Sequence, residues 1–144
     1  MIDIEYYINK LQKKKYSIFL FHGVIEKSFD GIRNYTKKHL LKGEFENLLV
    51  NLKKIGKPLS LDQVINFHKE KVPIPDFSFS ITFDDGFENN YSIAKPILEK
   101  LSIPATFYIS TNLVDKNLMT WIDQIEFCID TVSARTFDLP WSSV

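Results

Sequence analysis

Phe77–Gly86 reads FSFSITFDDG, and its alternation decides how the rest of the chain is laid out. Phe77, Phe79, Ile81 and Phe83 fall on one face of an extended strand, with Ser78, Ser80 and Thr82 on the other. The strand runs straight into Asp84, Asp85 and Gly86. In parallel α/β folds ligands gather at the carboxyl ends of strands, so two adjacent carboxylates here stand where chemistry occurs. Successive strand residues face opposite ways, so the two Asp side chains converge only if the chain turns between them. Gly86 supplies a residue with ready access to positive φ. Asp and Gly equally favour a plain turn and helix entry, so the three residues alone leave both readings open.

Outward from this strand, helical and extended patterns alternate. Upstream, Ser17–Val24 (SIFLFHGV) is an apolar run closed by His22 and Gly23, and reads as a buried strand. Ser28–Thr36 is polar and reads as a loop. From Thr36 to Ile55, Leu40, Leu41, Phe45, Leu48, Leu49, Leu52 and Ile55 recur at helical spacing, and Gly56 and Pro58 end the helix. Ser60 is a cap for a second helix over Leu61–Glu70. Downstream, Glu88–Leu101 is helical, with Pro96 beginning its regular part or kinking it. Ala105–Thr111 (ATFYIST) reads as a third strand and Leu118–Val132 as a further helix. The order β-αα-β-α-β-α predicts an α/β fold with a parallel sheet and crossover connections.

Composition narrows the function classes. The 144 residues carry 18 basic and 18 acidic side chains, which gives no global case for nucleic-acid binding. Residues 1–76 hold 14 basic and 9 acidic groups, residues 77–144 hold 4 and 9, so the acid excess lies in the half with the Asp pair. A hydrophobic fraction of 44% and a charged fraction of 25% describe a globular chain. The longest strongly apolar run, Ile18–Phe21, is far short of a membrane span, and the N-terminus lacks the pattern of a secretory signal. One cysteine, Cys128, permits no internal disulfide. Together these predict a cytoplasmic protein without membrane or nucleic-acid partners.

The block TFDDGFENN (Thr82–Asn90), followed by AKPILEKLSIPATFYIST (Ala94–Thr111), resembles the polysaccharide deacetylase family, that is, the NodB-homology domain of carbohydrate esterase family 4. FHGV (Phe21–Val24) and LMTWIDQIE (Leu118–Glu126) are similar to segments of one subgroup. The resemblance implies a distorted (β/α) barrel and a metal-dependent hydrolase that removes acetyl groups from N-acetylated sugars. It also implies Asp84 as general base and Asp85 as ligand of a divalent metal, usually Zn²⁺. Such an ion lowers the pKa of water to about 7, and a nearby carboxylate can take its proton. His22, at the end of the first strand, is a candidate for lining the same active site.

The family completes its metal site with an H-x-x-x-H pair after the I-P-A-T-F strand. Here the three histidines, His22, His39 and His68, all precede the Asp motif. A barrel of this type takes roughly 200 residues or more. About half of one is therefore expected, with residues 1–16 as a lead-in and 17–144 as the N-terminal portion of the domain. The alternative is a catalytically inactive fragment or binding remnant, because one Asp gives too few ligands for Zn²⁺. A pair of glycosidase carboxylates is a third reading, poorly matched by adjacent Asp residues. Half a barrel leaves sheet surface uncovered, which predicts self-association. His39 and His68 read as surface or capping residues, Trp121 as core, and Cys128 as a buried small apolar residue. Asn89 and Asn90 are assigned to the first turn of the helix after the Asp pair.

Overall fold

The computed structural model describes residues 2–29, 31–116 and 118–132. Its centre is β5 (Ser78–Phe83), buried at every position. Along one edge β5 pairs in parallel with β1 (Tyr16–Phe21), from Tyr16 opposite Ser78 to Phe21 opposite Phe83. Two short parallel strands share its other edge. β4 (Lys57–Pro58) pairs with Ser78 and Phe79, and β6 (Ala105–Phe107) pairs with Ile81 to Phe83. The expected parallel α/β sheet is present.

The bulky face of β5 is the core. Phe19 and Phe21 of β1 and Phe79, Ile81 and Phe83 of β5 pack against α2 (Lys42–Ile55), whose Phe45, Leu48, Leu49 and Leu52 are fully buried. Phe21 meets Phe45 edge-on at 5.3 Å between ring centres, and Phe83 stacks on Phe107 at 5.0 Å. Each such side chain contributes about 1.5–3 kcal/mol on burial. On the other face, Ser78, Ser80 and Thr82 lie in register with Tyr16, Ile18 and Leu20. Ile18 and Leu20 are 53% and 51% exposed there.

Several elements depart from the sequence reading. The apolar run after Tyr16 is two strands: β1 ends at Phe21, and β2 (Gly23–Ile25) leaves the main sheet to pair with β3 (His39–Leu41). Leu40 and Leu41, expected in the helix, therefore belong to β3, and α2 begins at Lys42. The lead-in contains a short helix, α1 (Ile4–Ile8), packed on α2. The capping of α3 (Leu61–Lys69) is as expected: Gln63 N–H donates to Ser60 Oγ, and Ser60 N–H donates to Gln63 Oε1.

Pro96 is reached through a π-helical turn over Asn90–Ala94, after which α4 (Lys95–Leu101) is regular. Lys95 N–H donates to Asn90 C=O, one residue further back than in an α-helix. β6 stops at Phe107, and Thr111 opens a separate helix, α5 (Thr111–Lys116).

α6 (Trp121–Thr131) is the largest correction. Trp121 is 71% exposed, and Ile125, Cys128 and Ile129 are exposed with it. Helical spacing shows which residues share a face, and it says nothing about which way that face points. Here the buried residue of α6 is Glu126. No helix among the described residues is long and apolar enough to cross a membrane.

Candidate active site

The end of β5 is held from both sides. Asp84 N–H donates to Phe21 C=O at 3.0 Å, and Tyr108 N–H donates to Phe83 C=O at 2.8 Å. The chain then reverses through two left-handed residues, Asp85 (φ +71°) and Gly86 (φ +72°). The turn therefore begins at Asp85 itself, one residue earlier than the glycine predicts. Asp is among the few side chains that tolerate this region, and such outliers gather at functional sites.

Asp85 opens onto a cleft of about 640 Å³ between the turn after β5, residues 25–29 and 31–39, and α6. His39, at the start of β3, forms its floor. The ring meets Phe87 edge-on at 4.7 Å, and Asn89 Nδ2 lies 3.4 Å from His39 Nδ1. With Asn89 donating, Nδ1 accepts and the ring proton sits on Nε2. Gly23 is obligatory beneath them, since a Cβ there would fall 2.1 Å from His39 Nδ1 and 2.7 Å from Asn89 Oδ1. Burial pushes the His39 pKa down to about 4, assisted by the charges of Lys38 and His22 and opposed by those of Asp123 and Asp85. The ring is neutral at neutral pH.

Carboxylates of α6 hold the loop that delivers His39. Asp123 Oδ1 accepts from Lys38 Nζ at 2.6 Å, Glu126 Oε2 from Asn34 N–H at 2.7 Å, and Asp130 Oδ1 from Ile32 N–H at 3.0 Å. Spacings of three and four residues put these acids on one side of the helix. Asn34, itself left-handed (φ +61°), clasps the His39 backbone: its Oδ1 accepts from His39 N–H and its Nδ2 donates to His39 C=O, each at 2.9 Å.

Of the residues singled out in the sequence, Asp85 lines the cleft and Asp84 closes the adjoining strand end. His22 is half-buried in the break between β1 and β2 and interacts electrostatically with His39. His68 is exposed in the last turn of α3, as expected. His39 overturns its surface reading, while Asn89 and Asn90 stand in the first turn of the helix after the Asp pair, as assigned. Asn89 makes no capping hydrogen bond and reaches His39 instead, while Asn90 is buried. Asn34 and Glu126 carry no local signal, because the hydrogen bond joining them spans 92 residues of sequence.

Asp85 and a neighbouring imidazole are donors that Zn²⁺ accepts, but catalytic zinc takes three protein ligands. Among the described residues no group of three or more His, Cys, Asp or Glu side chains could hold a metal ion. These residues do not make a zinc site by themselves, and no chemical step is derived through one.

Comparison with known proteins bears on the same segment. Residues 71–139 match the polysaccharide deacetylase family. The poly-beta-1,6-N-acetyl-D-glucosamine N-deacetylase of Staphylococcus aureus (strain MSSA476) is 36% identical over 95 residues, which is 65% of this chain and 31% of that protein. The chain spans about a third of the length of this relative. Among solved structures, the de-N-acetylase from Aggregatibacter actinomycetemcomitans superimposes with a TM-score of 0.58 at 23% identity, covering 69% of this chain and 39% of its own. Streptococcus pyogenes deacetylase PplD, solved in complex with acetate, gives 0.55 at 21% identity, covering 78% and 51%. The fold is thus part of the deacetylase barrel, as the sequence resemblance implies.

Proposed function

The chain carries part of a polysaccharide deacetylase domain, and from that premise we propose that it serves the hydrolytic removal of acetyl groups from N-acetylated sugars of a polysaccharide. The observation that supports this reading is that Asp85, inside the matched segment, lines a cleft directly after a buried parallel strand, with Asp84 next to it at the strand end. Water attacks the acetamide carbonyl as Asp84 takes its proton, and delivery of that proton to the sugar nitrogen lets the C–N bond break, releasing acetic acid and leaving a free amine on the sugar. A positioned carboxylate contributes about 10²–10⁴-fold to such a step. Asp85 is proposed as one donor to a divalent metal, Zn²⁺ by family resemblance, with further ligands from outside the described residues. The proposed compartment is the cytoplasm, on composition alone.

The test is acetate release from an N-acetylglucosamine polymer by the complete domain and by its Asp84→Asn variant. The variant is expected to lose about 10²–10⁴-fold in rate at unchanged fold. An undiminished rate would remove Asp84 from its role. No acetate release from the unaltered domain would remove the activity itself.

A further inference from the structure

The net charge of zero hides a strongly cationic end of the fold. Tyr16 of β1 and Lys57 of β4 both lie opposite Ser78 of β5, so the three strands begin level with one another. Hydrogen bonds draw the segments before them together. Lys14 N–H donates to Asp76 Oδ1 at 2.8 Å, Phe77 N–H to Gln12 C=O at 3.3 Å, and Lys57 N–H to Phe77 C=O at 3.1 Å. α2 and α3 lead into β4 and β5, so their last turns reach the same end. There Val72 N–H donates to Phe67 C=O and closes α3, with Lys71 left-handed. Residues 12–15, 54–57 and 69–77 hold seven lysines against two acids, Glu70 and Asp76. All seven lysines are exposed, and none forms an ion pair among the described residues. Ile55 and Val72, beside them, are 48% and 45% exposed. Asp84, Asp85 and Glu88 follow the far end of β5, about 20 Å away at ~3.3 Å per strand residue. That exceeds the screening length of ~10 Å at about 0.1 M salt, so these acids do not cancel the lysines.

We propose that this end of the fold is a peripheral docking surface for an anionic lipid membrane. Lysine is a compact point charge, suited to a diffuse surface of acidic headgroups. The exposed side chains of Ile55 and Val72 supply apolar area to bury at the boundary between headgroups and acyl chains. A nucleic acid fits less well. The three segments contain no arginine for bidentate phosphate contacts, and their one aromatic, Phe77, packs on the core rather than standing free to stack on a base. Contact of this kind needs neither an apolar span nor a net positive charge, the two features whose lack predicts no membrane partner from the sequence. Docked there, the chain turns its cleft away from the membrane, and the acids around the cleft oppose the inverted orientation. The surface does not depend on the deacetylase reading.

The test is flotation of the chain with vesicles of phosphatidylcholine alone and with vesicles containing about one third phosphatidylserine. Flotation leaves protein aggregates at the bottom of the gradient. The chain is expected to float with the anionic vesicles only, and to be released as ionic strength rises. The triple variant Lys13→Gln, Lys15→Gln, Lys57→Gln is expected to weaken partitioning about a hundredfold, since each lysine near such a surface contributes about fivefold. A second triple variant, Lys27→Gln, Lys37→Gln, Lys116→Gln, alters exposed lysines outside the patch to the same net charge and is expected to float like the parent. No flotation of the unaltered chain, equal flotation with neutral vesicles, or equal losses in the two triple variants would overturn the proposal. Displacement from the vesicles by duplex DNA at equal phosphate concentration would assign the surface to nucleic acid instead. The dependence of the unaltered chain on lipid charge and salt keeps the test decisive even if a variant folds poorly.

Discussion

Lys38 Nζ lies 2.6 Å from Asp123 Oδ1, and the two side chains are only 12% and 19% exposed. This ion pair joins the loop before β3 to the first turn of α6, across 85 residues of sequence. Burial by itself would raise the Asp123 pKa. Hydrogen bonds from Lys38 and Thr120 and the charges of Lys38 and His39 outweigh it and hold the carboxyl below its ordinary value. A partly buried pair of this kind loses more by the removal of one partner than of both, since a lone charge is left desolvated. Lys38→Met and Asp123→Asn are each expected to destabilise the chain by about 1–3 kcal/mol, with the double variant well short of the sum. Urea denaturation of the four proteins measures the coupling, and strict additivity would show that the pair does not act as a unit.

His39 makes stability depend on pH. Its folded pKa of about 4 lies below the ordinary histidine value of 6.5, so between these two values the unfolded chain binds a proton that the folded chain refuses. Stability is therefore expected to fall as pH drops from about 6.5 to about 4. His39→Gln should flatten thermal melts across that window. A parent protein equally stable at both ends would contradict the buried, neutral ring.

Gly23→Ala tests the contact on which the cleft floor depends. The added methyl meets His39 and Asn89 at distances no packed pair tolerates. The variant is expected to lose about 1–3 kcal/mol through overpacking and to raise the His39 pKa towards its free value as the ring is displaced. Imidazole chemical shifts followed through a pH titration report this directly.

Ile18 and Leu20 point from the small-residue face of the sheet into solvent. Exposed apolar side chains on an incomplete sheet predict association of the isolated chain. The double variant Ile18→Thr, Leu20→Thr is expected to shift sedimentation profiles towards monomer. An unaltered chain that already sediments as a monomer would show that this face needs no partner.

Zn²⁺ titrated into residues 1–144 is expected to show no tight stoichiometric site, because the described residues assemble fewer than three ligands. Tight binding would relocate the metal site to donors within this chain and make His39 the first variant to examine.

The strand that ends in the Asp pair was legible because its signal is local: alternation over seven residues, then a turn-forming trio. The parallel sheet followed from element order. What sequence reading missed depends on partners far apart in the chain. His39-Leu40-Leu41 looked like the first turn of α2 because Leu40 and Leu41 fit its spacing, yet pairing with Gly23–Ile25 drew them into a strand. Trp121 looked like core because its apolar neighbours repeat at helical intervals. The opposite side of that helix carries three acids with backbone and lysine partners on the loop, and those bonds decide its orientation. The turn at Asp84 and Asp85 is legible from its motif, whereas His39 and Glu126, which line the same cleft as Asp85, carry no local signal.

The π-helical turn at Asn90–Ala94 has a consequence for helical phase. Residues before it are committed to β2, where Asn89 stands over Gly23, and residues after it are committed to the core through Ile97 and Leu98. A regular α-helix advances about 100° per residue, so it could not satisfy both sets of contacts with this spacing. The extra residue in the turn absorbs the misfit. A helix shortened there by one residue would keep its sequence pattern and its length almost intact, yet one end would be rotated out of step. Asn89 would swing off the histidine, or the core leucine would turn to water.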